Sequence, residues 1–491
     1  MKGDKVIRDS VHGNIEIPKA FVEKIVDTPY FQRLRRIEQT SVRAIYPCAR
    51  HDRFTHSLGV YHIGTRIVKQ LRPQIVLLNV ISEHEINIIT QSYLIACLLH
   101  DIAHAPFSHT FEVYYGDKED LYERLQKSAE LDLKWSVQKQ GSPKEHEYAS
   151  AIMASEKFGE AIKSHELNGD VELVCRMIIG AEYNDKNKFH QICDCFIKLL
   201  HGEVDADRLD YASRDIWASG YKTVNVDVTR IIGSMRINEH KKRLNLCFDY
   251  HAIGDIRNIM ELKWFQVTHI FNHHTIVYDQ FLLIQAAEQM AKAVSPEMDP
   301  TSALSKIICL EAVSDNKYIP DEEGIRLRNL CDDDLFFLMK QHENEYYEDW
   351  SSRQYKHFAL WKSPEEFFHL FPNVSKSVQI KHPQLEEKVI DALSKVLDTS
   401  KILVREVKYI EKQSLGDFLI VIRGEIRTYA EVCHEIFKET IKKITFKFTY
   451  LYLPKPEDRD ELDELREEVV SKLTPVINEL FTFPKEEKEQ E

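Results

Sequence analysis

The sequence predicts a mainly α fold, with a helical core, a small β-element and a smaller α+β C-terminal portion. Three observations lead there. Gly and Pro are scarce, at 16 each in 491 residues, which leaves few turns for a chain rich in Leu, Ile, Glu and Lys. Apolar residues recur at helical spacing, as in Phe21, Ile25, Phe31, Leu34 and Ile37. The continuous apolar stretch Tyr93-Leu94-Ile95-Ala96-Cys97-Leu98-Leu99 runs straight into His100-Asp101.

Taken in order, Lys5–Asp9 and Ile15–Ile17 read as a strand-like entry around Gly13. Thr28-Pro29 reads as a helix N-cap followed by proline at the first helical position. His56 opens a helix to Leu71, and residues 85–100 form the apolar helix that delivers His100 and Asp101. Residues 116–145 are highly charged and predict an exposed helix and loop, after which helices resume to Gly220. A β-element is expected at 222–250, from Val224–Val228, Met235–Ile237 and Leu244–Leu246. Two long helices follow, Ile253–Val267 and His274–Ala293. Strand candidates Phe418–Ile422 and Thr445–Leu453 flank a helical segment, and 458–491 reads as a charged helix and tail. The expected organisation is one domain over 1–293, a helical extension over 294–400 and an α+β region over 401–491.

An apolar fraction of 43% and a charged fraction of 29% are those of a soluble globular protein. The net charge is −14 without a long basic block, which argues against a dedicated nucleic-acid partner while leaving room for a pocket that takes a small polyphosphate. No apolar run is long enough to cross a bilayer, so no membrane partner is expected. The nine cysteines include no CxxC pair and the N-terminus is polar, which predicts reduced thiols and a cytoplasmic location.

The His100-Asp101 pair carries the chemistry. Burying an imidazole beside a carboxylate at the end of a core helix is costly unless a divalent cation takes up the charge. Three further segments supply matching groups: Arg53-Phe54-Thr55-His56-Ser57-Leu58-Gly59, Glu145-His146-Glu147 and Asp205 through Asp215. His56, His100, Asp101 and Asp207 would form a set of two imidazoles and two carboxylates, which suits Fe, Mn, Zn or Co better than Ca, with Mg also considered. Such a set leaves positions open for water and a phosphoryl oxygen. His109 and Glu112 are spaced i, i+3, so the carboxylate can orient the imidazole.

These strings, together with Asp27-Thr28-Pro29, Phe31-Gln32-Arg33-Leu34-Arg35, Gln39 and His100 through His109, resemble the HD-domain deoxynucleoside triphosphate triphosphohydrolases. That family includes the sterile-alpha-motif-and-HD-domain enzymes and the bacterial dGTPases. The agreement runs from Lys5 to about His273. The resemblance implies a metal-dependent enzyme that cleaves a dNTP to deoxynucleoside and inorganic triphosphate. It implies metal ligation by His56, His100, Asp101 and Asp207, a catalytic dyad of His109 and Glu112, and phosphate contacts from His104 and His146. Arg53, Arg208 and Lys263 fall at polyphosphate contacts, although relatives carry Lys for Arg208 and Arg for Lys263. Gln39, Tyr211 and Asp215 fall at sugar contacts. Phe271 stands where a Tyr is expected, so one hydroxyl contact is lost. Lys5, Asp27, Gln32 and Arg35 match positions that hold an activating nucleotide, GTP or a dNTP. A dimer or tetramer and a role in nucleotide-pool control, extending to antiviral defence, are further implications. Two alternatives remain open: an HD phosphodiesterase or nucleotidase acting on another nucleotide, and a catalytically silent nucleotide sensor.

Overall fold

The computed structural model describes residues 4–129, 143–222, 226–314, 316–318, 326–374, 384–412, 418–437, 444–458 and 461–481. The fold is mainly α, as the composition predicts, with strands confined to small sheets. Two compact units divide it. The first contains 1–263, 284–344 and 415–441; the second contains 264–283, 345–414 and 442–491.

In the first unit, the hairpin Lys5–Asp9 and Gly13–Ile17 is the strand-like entry, closed by Gly13 at φ 78°. The helix Arg53–Leu78 starts at Asp52, whose carboxylate accepts the Thr55 N–H at 2.8 Å. Its C-terminus stops at Asn79 in the left-handed conformation. The neighbouring helix Glu83–Leu99 opens with a capping box formed by Ser82 and Glu85. The two helices pack closely at Gly64, where a Cβ would stand 2.8 Å from Cys97 Sγ. Around them pack Glu145–Lys163, Val171–Ile179 and Ala206–Ser219, the last capped by Asp205 and ended by Gly220 at φ 75°.

A four-stranded sheet flanks this bundle, in the order Glu425–Thr428, Leu419–Ile422, Arg243–Asp249, Met235–His240. Only the contact between Arg243–Asp249 and Leu419–Ile422 is parallel. The late strands are thus paired with the mid-chain β-element, a pairing with no local signal. Of the strand expected at Val224–Val228, residues 224 and 225 lie outside the described residues. Val228 instead begins a helix, Val228–Gly233, because the Asp227 carboxylate caps it by accepting the Arg230 N–H at 2.9 Å.

The second unit is built on a three-stranded antiparallel sheet, His357–Ala359, Ile444–Pro454 and Leu403–Lys412. Its core includes Trp361, Phe367, Phe371, Tyr450 and Tyr452, packed with Leu473 and Ile477 of the helix Glu461–Phe481. Trp361 Nε1 donates to Thr449 O at 2.8 Å, which satisfies the polar tip of a ring otherwise buried. The charged C-terminal helix expected from 458 is this one; residues 482–491 lie outside the described residues. Among the described residues no helix is long and apolar enough to cross a membrane.

Candidate metal centre and active site

Three helix ends in the first unit converge. The first turn of Arg53–Leu78 carries His56, the C-terminus of Glu83–Leu99 delivers His100 and Asp101, and the first turn of Ala206–Ser219 carries Asp207. His100 caps its helix, its N–H still bonded to Ala96 O at 2.9 Å. His56 Nε2 lies 3.3 Å from His100 Nε2, 2.9 Å from Asp207 Oδ1 and 3.5 Å from Asp101 Oδ2. His100 Nε2 lies 3.4 Å from Asp101 Oδ2 and 3.8 Å from Asp207 Oδ1.

The outer nitrogens decide what these groups can do. His56 Nδ1 donates to Asp210 Oδ2 at 2.7 Å, and His100 Nδ1 donates to Cys97 O at 3.0 Å. In the neutral rings both Nε2 atoms are acceptors, and they face each other and two carboxylate oxygens. Such a cluster is balanced by positive charge, either protons on the imidazoles or a cation held between them. Burial lowers the pKa of His56, but Asp207 and Asp210 outweigh it and the net shift is upward. His100 behaves in the same way, raised well above its ordinary value by Asp101 and Asp207. Burial pushes Asp101 up, yet Arg53, His100 and His104 hold it well below the carboxylate range. The donor set therefore fits a divalent transition metal.

Asp210 organises the far side. It accepts from His12 Nε2 at 2.6 Å and from Arg214 Nε and Nη2 at 2.8 and 3.0 Å, while Arg214 also bonds Asp9. Gly59 is required here, because a Cβ at that position would overlap Asp210 Oδ1 and Arg214 Nη2.

A second group of side chains adjoins the first through Asp101, whose Oδ1 is 3.2 Å from His104 Nε2. His104 is fully buried and stacks on His146 with ring centroids 4.0 Å apart. Burial, with Arg53 and His146 nearby, holds His104 well below its ordinary pKa, so it is neutral. Glu112 bonds two imidazoles at once, His109 Nδ1 at 2.6 Å and His146 Nδ1 at 2.7 Å. Burial raises the Glu112 pKa, but these two partners outweigh it and keep the group ionised. His109 is the exposed member, with 54% of its side chain accessible.

The remaining expected site residues divide. Arg53 is buried, with Nη1 on Asp101 Oδ2 at 2.5 Å, Nε on Ser108 Oγ at 2.9 Å and Nη2 on Gln39 O at 3.4 Å. Arg208 donates to Glu203 Oε2 at 2.8 Å and lies near Tyr211 and Lys263. Burial pushes Lys263 down to about 7, with Arg208 adding to the shift. Asp215 accepts from His51 Nε2 at 2.8 Å, and the buried Gln39 Oε1 has no hydrogen-bond partner among the described residues. Phe271 belongs to the second unit. On the surface, Lys5 Nζ pairs with Asp27 at 3.3 Å, Gln32 Nε2 donates to Val26 O at 2.8 Å and Arg35 Nε to Gln32 Oε1 at 2.9 Å. Sequence reasoning missed His12, His51, Arg33 and Asp332, whose partners lie far along the chain and leave no local trace.

A family model described as the HD domain matches residues 53–180. The chain is 27% identical over 310 residues to the deoxynucleoside triphosphate triphosphohydrolase SAMHD1 homolog of Dictyostelium discoideum, a match covering 61% of this chain and 52% of that protein. Human SAMHD1 is 27% identical over 64% of this chain and 50% of its own length. The chain thus spans about half the length of the curated relatives it matches. Among solved structures, a phosphohydrolase from Bacteroides thetaiotaomicron superposes with a TM-score of 0.61 at 21% identity, covering 92% of this chain and all of that one. A protein from Aquifex aeolicus gives 0.60 at 20% identity, covering 96% of this chain and 100% of that one. With His56, His100 and Asp101 inside the matched segment and Asp207 beyond it, the chain carries an HD domain and is similar over 61–64% of its length to deoxynucleoside triphosphate triphosphohydrolases.

Proposed function

We propose that this protein is a metal-dependent HD phosphohydrolase that cleaves dNTPs at the α-phosphorus, giving a deoxynucleoside and inorganic triphosphate. The observation that carries the reading is the convergence of four acceptor atoms, from His56, His100, Asp101 and Asp207, beside the relay His109–Glu112–His146. A cation held by those four residues would supply Lewis acidity at a phosphoryl oxygen and lower the pKa of a water.

The other side chains divide the remaining work. His109 is the exposed imidazole, and with Nδ1 given to Glu112 its Nε2 is available to protonate the departing 5′ oxygen. Water adds to the α-phosphorus, the bond from phosphorus to O5′ breaks, the proton from His109 goes to O5′, and the proton released by the water leaves to solvent, from which His109 is reprotonated. Glu112 favours the imidazolium form of His109 against burial, which outweighs it and pushes the His109 pKa down to about 4. His104 and His146, stacked beside it, contact the α-phosphate, while Arg208 and Lys263 neutralise the triphosphate as it leaves. Gln39, Tyr211 and Asp215 hold the sugar. The set Lys5, Asp27, Gln32 and Arg35, exposed except for the half-buried Gln32, takes an activating nucleotide, and the assembly is a homo-oligomer.

The reading is tested by incubating metal-stripped enzyme with each dNTP, singly and in pairs, after adding back Mn, Fe, Zn or Mg, and separating products by ion chromatography. Tripolyphosphate and deoxynucleoside should appear with metal and vanish in Asp207→Asn. Pyrophosphate and a nucleoside monophosphate would instead indicate a pyrophosphohydrolase.

A further inference from the structure

The segment from Asp101 to His109 joins the proposed metal ligands to the proposed proton donor, and its backbone is unusual. Phe107 and Ser108 both adopt positive φ, 54° and 53°. Two consecutive non-glycine residues in that region are held by their surroundings rather than by preference. The holding groups come from far away. Asp332 is 4% exposed and accepts the Phe107 N–H at 2.7 Å through Oδ1 and the Glu38 N–H at 2.9 Å through Oδ2. Glu38 O in turn accepts from Ser108 Oγ, which also accepts from Arg53 Nε at 2.9 Å. Phe336, four residues beyond Asp332, packs edge-on against the Phe107 ring with centroids 4.9 Å apart.

Arg33 ties the same pieces together. It is buried, and all three of its guanidinium nitrogens go to backbone carbonyls: Nε to Leu330 O at 2.6 Å, Nη1 to Ile102 O at 3.2 Å, and Nη2 to His104 O. Residues 330–336 thus brace the loop from behind at both of its ends.

We infer that Asp332 is a positioning residue for catalysis, and that the segment 330–336 braces the His104–His109 loop so that His109 meets the leaving oxygen. The sequence offers no role for this segment, which lies well beyond the HD match at 53–180. An acid at this depth is costly: burial pushes the Asp332 carboxyl up to about 7 even with two N–H donors on it. What the carboxylate contributes at this depth is its pair of acceptor bonds, to the Phe107 and Glu38 amides. Without it, the Phe107 N–H is unpaired and the left-handed pair is free to relax, carrying His109 out of line while leaving the helix-borne His56, His100 and Asp207 in place. A displacement of about 1 Å in a catalytic group lowers rates on the order of a hundredfold.

This inference rests on the assignment of His109 as proton donor, and a double-mutant cycle separates the two. Asp332→Ala should lower kcat for dNTP hydrolysis by about 10- to 100-fold, with KM and bound-metal content unchanged. In a His109→Gln background, Asp332→Ala should cost nothing further, because the group it positions is already gone. Asp332→Asn, which keeps one acceptor oxygen, should fold and recover part of kcat, and it stands in should the alanine variant fail to fold. The inference is overturned if Asp332→Ala leaves kcat unchanged, if metal content falls in parallel with kcat, or if the two substitutions are additive. No loss of kcat in His109→Gln alone would instead overturn the proton-donor assignment.

Discussion

Asp207 and Asp210, three residues apart on one helix, hold opposite nitrogens of the same imidazole: Asp207 Oδ1 is 2.9 Å from His56 Nε2, and Asp210 Oδ2 is 2.7 Å from His56 Nδ1. Spacing of i, i+3 puts both carboxylates on one face of Ala206–Ser219. One faces the proposed cation position and the other fixes the ring and its tautomer. Asp210→Asn should therefore reduce metal affinity by roughly 10- to 100-fold while Asp207→Asn abolishes tight binding. Metal titration with a competing chelator measures both, and equal affinities in Asp210→Asn and the native protein would refute the assignment.

Gly59 is the test of packing around that hub. A methyl group there would press into Asp210 and Arg214, overpacking a site where two buried ions are also paired. Gly59→Ala is expected to destabilise the fold by about 3 kcal/mol. Urea unfolding measures it; a change within about 0.5 kcal/mol, typical of an unremarkable surface site, would show that the neighbours move aside.

The relay predicts a second pattern. His109→Gln and Glu112→Gln should each lower kcat by about 100- to 10,000-fold, and the double variant should be scarcely worse than either single one, because the pair acts as a unit. Steady-state kinetics at fixed metal concentration checks this. Multiplying losses would mean that the two act separately.

Lys263 gives the pH dependence its sign. With a pKa pushed down to about 7 by burial and by Arg208, it is charged below that pH and neutral above it. Its hold on a triphosphate should weaken as pH rises, so KM for dNTP should increase from pH 6 to pH 8. Lys263→Arg stays cationic throughout and should show a flatter profile. Parallel KM profiles in the two proteins would remove Lys263 from substrate binding.

How much of this could be read from the chain follows from where each partner lies. The helices around His56, His100 and Asp207 were legible because apolar periodicity, Asp and Ser caps and the His-Asp pair are local signals. Asp205, at the start of the segment Asp205 through Asp215, caps the Asp207 helix. The sheet joining Arg243–Asp249 to Leu419–Ile422 was not legible, since parallel pairing across so many residues is fixed by packing alone. The strand Leu403–Lys412 was missed because its charged, mixed pattern carries little alternation. His12 and Asp332 were missed for a related reason: each bonds a partner roughly 200 residues away or more, at Asp210 and Phe107. Arg53 was expected to face phosphate, and the structure places all its nitrogens on protein groups.

The most direct measurement is hydrolysis of a dNTP in water enriched in oxygen-18, with products analysed by mass spectrometry. Attack at the α-phosphorus with expulsion of the 5′ oxygen predicts one heavy oxygen in the released triphosphate and none in the deoxynucleoside. Label in a nucleoside monophosphate, or in the deoxynucleoside itself, would contradict the account.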